Sequence, residues 1–242
     1  MFIGGFQKFT MLDYPGKIAT TVFTMGCNFR CPFCHNSDIV DPKLIDYDSE
    51  IKEEEILKFL KSRKGDLDGV CITGGEPTLQ LGLREFIEKI KKMGFLVKID
   101  TNGSYFYAVS SLIDSGLVDY WAIDIKTVPK KYKIMTKKDK DNLIGNIENS
   151  IKSISNSKSE LELRTTIVPG YVNEEDIDGI INWINSIDKK IFSKLYRYSV
   201  QNFRPEKTLA VGLEKLNSYS TETLEIMAEK IRQHCKNVVI SE

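Results

Sequence analysis

Residues Thr20–Asn36 have the sequence TTVFTMGCNFRCPFCHN. The segment begins with β-branched and aromatic residues, which are typical of a buried strand. It continues directly into a loop that contains Cys27, Cys31 and Cys34 in a C-x3-C-x2-C spacing. Three thiolates at this spacing can ligate one inorganic cluster, and a cubane iron–sulfur cluster normally takes four cysteines. We therefore expect one iron with an open position where a small molecule can bind, as at catalytic metal sites.

A zinc site is the alternative for these cysteines, with His35 as the fourth ligand. Structural zinc takes four ligands, but His35 directly follows Cys34, which makes joint ligation of one ion awkward. No second Cys/His pair lies at the spacing of a zinc ribbon. The cluster interpretation is therefore favoured. The two other cysteines, Cys71 and Cys235, are each isolated in the sequence and are expected to have no chemical role.

The composition favours one soluble domain that covers residues 1–242. Hydrophobic residues make up 41% of the chain, and Lys+Arg and Asp+Glu each number 34. The resulting net charge of zero gives no support for a nucleic-acid partner, since such proteins usually carry a basic excess. The first residues lack the pattern of a signal peptide, and no apolar run approaches the ~18 residues of a membrane helix. We expect a cytoplasmic protein without a membrane partner.

Predicted strands and helices alternate along most of the chain. Strands are expected at 18–24, 69–73, 95–99, 120–125, 160–168 and 195–201, and helices at 49–62, 83–93, 105–114, 143–155, 173–187 and 221–235. Residues 2–9, before a turn at Asp13–Gly16, predict an N-terminal hairpin or cap. Residues 238–240 are a candidate for one more short strand. The lysine-rich segment 130–141 is expected to be an exposed loop, and docking of a partner protein is the alternative use of its charges.

Six strand–helix pairs in alternation favour an α/β fold in which parallel strands are joined by right-handed crossovers. The polar motifs follow the carboxyl ends of predicted strands, where barrel-like α/β folds build their active sites. Six units instead of eight indicate an open, partial (β/α)6 barrel of parallel strands with a short N-terminal hairpin. Such a barrel has a lateral gap through which a large substrate segment can enter.

The motif Gly74-Gly75-Glu76-Pro77 follows the second predicted strand. Glycines let the backbone approach a ligand closely, and Glu76 can accept hydrogen bonds from an ammonium group or cap the next helix. The tetrapeptide alone is a weak signal, but it follows the cysteine motif in the chain.

Two acidic motifs, Asp100-Thr101-Asn102 and Asp124-Ile125-Lys126, end neighbouring predicted strands. They would place two carboxylates and an ammonium group in one pocket. Two acids that close raise each other's pKa unless a cation lies between them, and either Lys126 or a bound metal ion can be that cation. A surface ion pair is the alternative. Arg164 lies within the next strand, where an arginine is rarely buried without a partner; a structural salt bridge to Glu162 or to a neighbouring helix is the alternative to ligand binding.

The cysteine motif with Phe33 before its third cysteine, followed by Gly74-Gly75-Glu76-Pro77, resembles the radical S-adenosylmethionine (SAM) family. The resemblance extends from Gly4 to about Pro205. It implies one 4Fe-4S cluster whose open iron binds the amino and carboxylate groups of SAM. One electron from the cluster then cleaves the sulfonium and gives a 5′-deoxyadenosyl radical.

Three segments resemble the glycyl-radical-enzyme activating proteins within that family: residues 5–8 (GFQK), 12–16 (LDYPG) and 26–36 (GCNFRCPFCHN). They resemble most the longer form of the proteins that activate anaerobic ribonucleoside-triphosphate reductase. The resemblance implies that the radical removes a hydrogen atom from a glycine of that partner, with flavodoxin or ferredoxin as electron donor. The alternatives are another glycyl radical enzyme such as pyruvate formate-lyase, a small-molecule enzyme such as 7-carboxy-7-deazaguanine synthase, and a regulatory module that binds zinc or a cluster.

The resemblance also implies a set of cofactor contacts. It places Phe33 and Val168 at the adenine, Gly74–Pro77 at the methionine amino group, and Arg164 at the carboxylate or ribose. Asp124, Ile125 (through its backbone) and Lys126 of the second acidic motif, together with Asp100 and Thr101, match a set of residues in pyruvate formate-lyase activating enzyme. That set contacts SAM and holds a monovalent cation. A histidine of that enzyme has no counterpart, so Gln201 or Arg204 would take its role. The complete expected set is Cys27, Cys31 and Cys34 for the metal, and Phe33, His35, Gly74, Gly75, Glu76, Pro77, Asp100, Thr101, Asn102, Asp124, Ile125, Lys126, Arg164, Val168, Gln201 and Arg204 for the cofactor.

Overall fold

The computed structural model describes residues 1–137 and 142–241 and contains one mixed sheet in that part of the chain. The strands lie in the sheet in the order in which they occur in the sequence. β1 pairs antiparallel with β2, and each later strand pairs parallel with the one before it. Their bounds are β1 Ile3–Thr10, β2 Ala19–Thr24, β3 Gly69–Gly74, β4 Leu96–Thr101, β5 Tyr120–Asp124, β6 Glu160–Ile167, β7 Arg197–Asn202 and β8 Val238–Ser241.

Helices fill the connections between the parallel strands. They are α1 Ser37–Val40, α2 Glu53–Ser62, α3 Leu83–Lys92, α4 Phe106–Ser115, α5 Tyr132–Thr136, α6 Leu143–Ser155, α7 Glu174–Ile187, α8 Ile191–Lys194 and α9 Thr221–Arg232. Short 3-10 turns cover Tyr47–Ser49, Pro77–Leu79, Pro129–Lys131 and Leu213–Lys215. No helix in residues 1–137 or 142–241 is long and apolar enough to cross a membrane.

The sequence periodicities explain these elements. In α3, the buried residues Phe86, Ile87 and Ile90 recur at helical spacing and form one face. In α7, Asn173 caps the helix and forms a reciprocal capping box with Asp176. Along the strands, alternate side chains point outward to the helices, and the residues between them point to the inner face.

The inner face of the sheet is strongly curved. Tyr14, in the turn after β1, contacts the ring of Tyr120 on β5 with ring centroids 5.6 Å apart, although β2, β3 and β4 lie between β1 and β5 in the sheet. Tyr120 in turn contacts Tyr196, which precedes β7, at 5.3 Å. Within the described chain β1 and β8 are the two edges and do not pair. The sheet is therefore an open, partial barrel whose inner face is closed by aromatic rings at the amino ends of its strands.

The predicted partial barrel with an N-terminal hairpin is confirmed, with two refinements. The candidate strand at 238–240 is present as β8 and adds a seventh parallel strand to the six expected. The helix expected at 49–62 begins at Glu53, because Tyr47–Ser49 forms a separate turn capped by the side chain of Asp46.

The prediction of an exposed loop at 130–141 is wrong for α5. Tyr132, Met135 and Thr136 of this helix are buried, and Tyr132 packs against Trp183 of α7. Residues 138–141, which include Lys138 and Lys140, lie outside the described chain. Cys71 and Cys235 are both buried and free, as expected.

Candidate active site

A cavity of about 400 Å³ opens at the carboxyl ends of the parallel strands. It brings together residues from the loop after β2 and from the ends of β3 to β7. The expected site residues that line it are Cys27, Cys31, Phe33, Cys34, His35, Gly74, Gly75, Glu76, Asp100, Thr101, Asn102, Asp124, Lys126, Arg164 and Gln201. The chain thus gathers most of the residues that the sequence singled out around one space.

The cysteine loop is held in place by contacts with several other loops. The Asn36 side chain donates to the carbonyl oxygen of Gly74 at 2.8 Å. Asn28 accepts from Asn102 at 2.9 Å and donates to Ser104 at 2.7 Å. The Arg30 guanidinium donates to the carbonyl oxygens of Cys27 and Phe29 at 2.6 and 2.7 Å. Side chains of the loop therefore fix the backbone that presents the thiols, through contacts within the loop and with the segments after β3 and β4.

The three thiols fit a multi-iron cluster better than a single metal ion. All three line the cavity, and the Phe29 amide donates to Cys27 Sγ at 3.3 Å, a contact of the kind that tunes cluster sulfurs. In the described chain no three His, Cys, Asp or Glu side chains converge closely enough to hold one ion. In a cubane cluster each iron takes one thiolate, so three separate thiols around one cavity are a suitable donor set, whereas a zinc site is not supported.

Burial keeps these thiols protonated when no metal neutralises them. Desolvation, followed by the nearby Glu76 carboxylate, raises the pKa of Cys27 to about 12. Desolvation likewise raises the pKa of Cys31 to about 11, although Lys126 opposes the shift. Since thiolates are the ligands of iron, metal binding at this loop must release protons.

The double glycine packs against the cysteine loop itself. A side chain at Gly75 would overlap the carbonyl oxygen of Gly26, and Gly74 has a φ of +104°, in the region that favours glycine. The Glu76 amide donates to that same Gly26 oxygen at 2.8 Å. Glycines are therefore needed here because the backbone of the segment after β3 touches the backbone of the cysteine loop. This requirement is separate from any close approach of a ligand.

Glu76 is only 1% exposed, and its carboxylate is already well used. One oxygen accepts from the Thr101 hydroxyl at 2.6 Å and from Thr78, and the other accepts from the Asn102 amide at 2.7 Å. Desolvation raises the pKa of Glu76 although these hydrogen bonds oppose the shift. Glu76 thus ties the segment after β3 to the segment after β4, a role that its sequence motif did not indicate.

Five charged side chains form a continuous chain of ion pairs on the inner face of the barrel, and four of them, Asp100, Asp124, Lys126 and Arg164, line the cavity. Arg164 on β6 donates to Asp124 at 2.8 Å and to Asp100 at 2.8 Å. Lys126 pairs with the other oxygen of Asp124 at 3.0 Å, and Lys98 pairs with Asp100. Cations and anions alternate from Lys98 to Lys126, with Arg164 between the two carboxylates.

This arrangement keeps both acids charged. Burial alone would raise the pKa of Asp124, but Arg164 and Lys126 hold it well below its usual value. Burial would also raise the pKa of Asp100, which Arg164 and Lys98 lower. Burial likewise opposes the charge of Lys126, yet Asp124 raises its pKa above the usual value. The sequence correctly indicated that a cation must separate the acids, but Arg164 has that position.

The salt bridge considered between Arg164 and Glu162 is wrong. In the register of the sheet Arg164 lies opposite Asp124 of β5, whereas Glu162 lies opposite Arg197 of β7. Glu162 pairs with Arg197 at 2.9 Å. Spacing along one strand could not reveal this, because the partners belong to neighbouring strands.

Four expected cofactor residues do not line the cavity. Pro77 is buried at the start of a 3-10 turn. The side chains of Ile125 and Val168 lie in the hydrophobic core, and the Ile125 amide donates to the Arg164 carbonyl oxygen. An adenine contact through the Val168 side chain is therefore not supported. Arg204 lines a neighbouring chamber, where its carbonyl oxygen lies 2.9 Å from His35 Nε2.

That second chamber has a volume of about 650 Å³ and lies on the inner face of the barrel. It shares Asp100, Arg164 and Gln201 with the first cavity. Its lining includes Leu12 and Asp13 from the N-terminal hairpin and residues 239–241 of β8 at the other edge of the sheet, so we infer that its mouth lies between the two edges. The lateral gap expected from the sequence therefore leads to the cavity that contains the cysteines.

The sequence did not indicate several polar residues of these two spaces. Lys98, Glu162, Arg197 and Ser199 line the inner chamber, and Glu162 accepts from Ser199 at 2.6 Å. The sequence signal that could have identified Lys98, Glu162 and Arg197 is the presence of charged residues at alternate positions of strands that are otherwise apolar. In the first cavity Asn36 and Thr166 were also missed, because single polar residues beside a motif carry no signal of their own.

Known proteins are similar to this chain in sequence and in fold. The sequence profile of the radical SAM superfamily matches residues 21–184. A Methanocaldococcus jannaschii protein with the provisional name glycyl-radical enzyme activating enzyme is 32% identical over 98% of this chain and 95% of its own length. The pyruvate formate-lyase-activating enzyme of Staphylococcus aureus is 26% identical over 84% of this chain and 83% of its own length. The Streptococcus suis SuiB structure bound to S-adenosylmethionine superposes with a TM-score of 0.65 at 16% identity, covering 90% of this chain and 48% of SuiB.

Proposed function

The chain belongs to the radical SAM superfamily and, within it, to the glycyl-radical enzyme activating enzymes, and we propose that it generates the glycyl radical of anaerobic ribonucleoside-triphosphate reductase. The observation that carries the proposal is the single cavity lined by Cys27, Cys31 and Cys34 together with the segment after β3 and the strand-end acids.

The family implies one 4Fe-4S cluster and SAM as cofactors. Cys27, Cys31 and Cys34 would hold the cluster, which together with SAM supplies a radical able to remove a hydrogen atom. The protein contributes position and exclusion of water. The contacts described above fix the thiol-bearing loop against the segments after β3 and β4 before any cofactor binds.

We assign the cofactor groups from the charge and position of the lining residues. The segment Gly74–Glu76 is the proposed site of the methionine amino group, and Lys126 or Arg164 of the carboxylate, because opposite charges meet there. Phe33 is the proposed neighbour of the adenine, and Lys126 Nζ lies 5.8 Å from its ring. Gln201 is preferred to Arg204 for the ribose, since Gln201 lines the cavity.

A monovalent cation beside the cofactor carboxylate is also proposed, with Asp100, Thr101 and Asp124 as its site. The guanidinium of Arg164 bridges the two carboxylates. Cation binding therefore requires that Arg164 exchange one of these contacts for a contact with the cofactor.

The choice of target rests on the N-terminal hairpin. Residues 12–16 resemble activators of anaerobic ribonucleoside-triphosphate reductase, and Leu12 and Asp13 border the mouth of the inner chamber. Residues at this mouth are the first that an incoming protein segment meets, so they are suited to discriminate between targets. The similarity to pyruvate formate-lyase-activating enzymes makes pyruvate formate-lyase the second candidate target.

The proposal is tested with anaerobically reconstituted protein, dithionite, SAM and each purified candidate target. A doublet glycyl-radical signal in electron paramagnetic resonance is expected with the reductase, and none with the Cys31→Ala variant. A glycyl-radical signal with pyruvate formate-lyase alone would identify that enzyme, instead of the reductase, as the target. Formation of 5′-deoxyadenosine with a small molecule and without any protein target would contradict the activating role. If no 5′-deoxyadenosine forms under any condition although the cluster can be reduced, the radical chemistry is contradicted.

A further inference from the structure

The side chain of Asn102 lies directly behind the first cysteine of the cysteine loop. Asn102 follows β4 and is buried. Its Nδ2 group donates to the side-chain oxygen of Asn28 at 2.9 Å and lies 3.9 Å from Cys27 Sγ. The sulfur of Cys27 is therefore within reach of a side-chain N–H group that belongs to a different segment of the chain.

The orientation of the Asn102 side-chain amide is fixed by a backbone donor. The Ser104 amide donates to Asn102 Oδ1 at 2.9 Å, and a backbone N–H group can only donate. The Nδ2 group of Asn102 must therefore face Asn28 and Cys27. Asn28 then presents its oxygen to Asn102 and its own Nδ2 group to the Ser104 hydroxyl, at 2.7 Å.

The backbone of Asn102 contacts a second part of the candidate active site. Its amide donates to Glu76 Oε2 at 2.7 Å, and Glu76 belongs to the segment where we propose that the methionine amino group binds. Asn102 thus reaches the proposed cofactor site through its backbone and a thiol through its side chain. One buried residue sets the position of these two groups relative to each other.

Metal binding changes the role of the Cys27 sulfur in this network. In the metal-free protein the thiol can donate to Asn28 Oδ1, which lies 3.9 Å away. A metal-bound cysteine is a thiolate, so its sulfur can then only accept. The N–H groups beside it are the Phe29 amide at 3.3 Å and Asn102 Nδ2. Hydrogen bonds to a charged acceptor are stronger than those to a neutral one, so both contacts gain in strength.

We propose that Asn102 is a positioning residue that raises the reduction potential of the cluster by donating a hydrogen bond to Cys27 Sγ. The inference rests on the cluster of the proposed function and is independent of the choice of target. Reduction by one electron adds negative charge to the cluster and its sulfur ligands. An N–H donor at one of these sulfurs therefore stabilises the reduced state more than the oxidised state.

Other contacts hold the cysteine loop when this hydrogen bond is removed. The Arg30 amide donates to the carbonyl oxygen of Thr136 in α5 at 2.8 Å. The Asn36 side chain donates to the carbonyl oxygen of Gly74 at 2.8 Å. We therefore expect a substitution at Asn102 to remove a donor from one sulfur while the loop keeps its place.

The first experiment is a redox titration of the reconstituted protein with dithionite, followed by electron paramagnetic resonance. Asn102→Leu has a side chain of similar size without a donor. At a fixed solution potential its ratio of reduced to oxidised cluster is expected to be severalfold lower than in the unmodified protein, as for loss of a hydrogen bond to a charged group. The matched control is Asn146→Leu. The Asn146 amide belongs to the same network but donates to the Ser104 carbonyl oxygen, at 3.2 Å, so this variant is expected to keep the unmodified potential.

A spectroscopic signature separates the hydrogen bond from structural support. Protein with isotope-labelled nitrogen in its asparagine side-chain amides is expected to show weak coupling of one labelled nucleus to the reduced cluster in pulsed electron paramagnetic resonance. The coupling should disappear in Asn102→Leu and in Asn102→Asp, which keeps the shape and the acceptor for the Ser104 amide. It should persist in Asn146→Leu. Circular dichroism and iron and sulfide analysis establish that each variant is folded and carries a cluster.

The outcomes distinguish this inference from the proposed function. Equal potentials in the unmodified protein, Asn102→Leu and Asn102→Asp would overturn the inference. An equal shift in Asn146→Leu would also overturn it, because such a shift reports only a loosened network, and so would a labelled-nitrogen coupling that survives in Asn102→Leu. In these cases a cluster that still supports 5′-deoxyadenosine formation leaves the proposed function intact. If the unmodified protein takes up no cluster, the proposed function and the inference are both wrong.

Discussion

Arg164 and Asp124 lie opposite each other in neighbouring parallel strands and form an ion pair in which Arg164 Nε donates to Asp124 Oδ1 at 2.8 Å. The same guanidinium reaches Asp100, so that one side chain separates two largely buried carboxylates. Polar groups at the carboxyl ends of three strands are thereby joined into one unit, which orders the floor of the site before a cofactor binds.

Removal of the guanidinium should therefore destabilise the fold. Arg164→Met keeps the length of the side chain but leaves Asp100 and Asp124 without their shared cation. We expect the free energy of unfolding to fall by about 3 kcal/mol, the range for loss of one partner of a buried ion pair. Urea denaturation of the metal-free protein measures this change in the free energy of unfolding. Arg63→Met, at an exposed arginine, should change stability by less than about 0.5 kcal/mol; similar losses in both variants would refute this role.

The pKa of Asp124 predicts a dependence of stability on pH. Burial would raise this pKa, but Arg164 and Lys126 lower it well below the usual value. A carboxyl with a lowered folded-state pKa contributes stability that is complete above its unfolded pKa and is lost as the pH falls. The urea concentration at the midpoint of unfolding should therefore decrease as the pH is lowered below about 5. This decrease should be less steep in Asp124→Asn than in the unmodified protein. Parallel curves for the two proteins would contradict the depressed pKa.

Glu76 should act by positioning two loops. In Glu76→Gln an NH2 group replaces one acceptor oxygen and faces either the Thr101 hydroxyl or the Asn102 amide, which are donors in the present structure. We expect a loss of about 1–3 kcal/mol in unfolding free energy, as for an unsatisfied buried group. Hydrogen exchange of the Asn102 amide should also accelerate more than exchange in the α9 helix. Unchanged exchange at Asn102 would show that the loops are held by other contacts.

The contact between Gly75 and Gly26 should be required for iron binding. In Gly75→Ala the new methyl group would overlap the Gly26 carbonyl oxygen, so the cysteine loop must shift. We expect iron content after anaerobic reconstitution to fall several-fold. Gly116→Ala is the control, because its surroundings are open and only its positive φ adds strain, about 1 kcal/mol. Full iron content in Gly75→Ala would mean that the loop tolerates the displacement.

The two isolated cysteines should be dispensable for the metal. Cys71 is completely buried and lines neither cavity, so Cys71→Ala should retain full iron and sulfide content at a cost of about 1 kcal/mol in stability. Cys31→Ala should lose most of the iron. Iron and sulfide analysis after reconstitution, with the characteristic visible absorption, distinguishes the two. Iron loss in Cys71→Ala comparable to that in Cys31→Ala would place a fourth ligand there.

Most of the fold could be predicted because its signals are local. The alternation of strand and helix patterns and the turn at Asp13–Gly16 each depend on residues close in sequence. The hairpin and the position of the motifs at strand ends follow from the same patterns. Even the gathering of Cys27, Gly74 and Asp124 around one cavity could be anticipated, since the carboxyl ends of parallel strands meet at one edge.

Other features depend on contacts between residues far apart in the chain. Helix α5 is only five residues long and lies in a lysine-rich segment of the chain, and it is buried on one side because Tyr132 contacts Trp183 and Lys126. No local pattern predicts this, since short helices gain their stability from tertiary packing. The burial of the Val168 side chain in the hydrophobic core likewise depends on packing between distant segments of the chain.

The sequence by itself determined the order of the elements, the three thiols on one loop and the polar groups at strand ends. Only the tertiary structure decided that Arg164, rather than Lys126, bridges Asp100 and Asp124. It also decided that Glu162 belongs to Arg197, and that α5 supports the cysteine loop. The physical reason is that ion pairs and buried faces are set by strand register and sheet curvature, which bring together residues that no spacing along the chain relates.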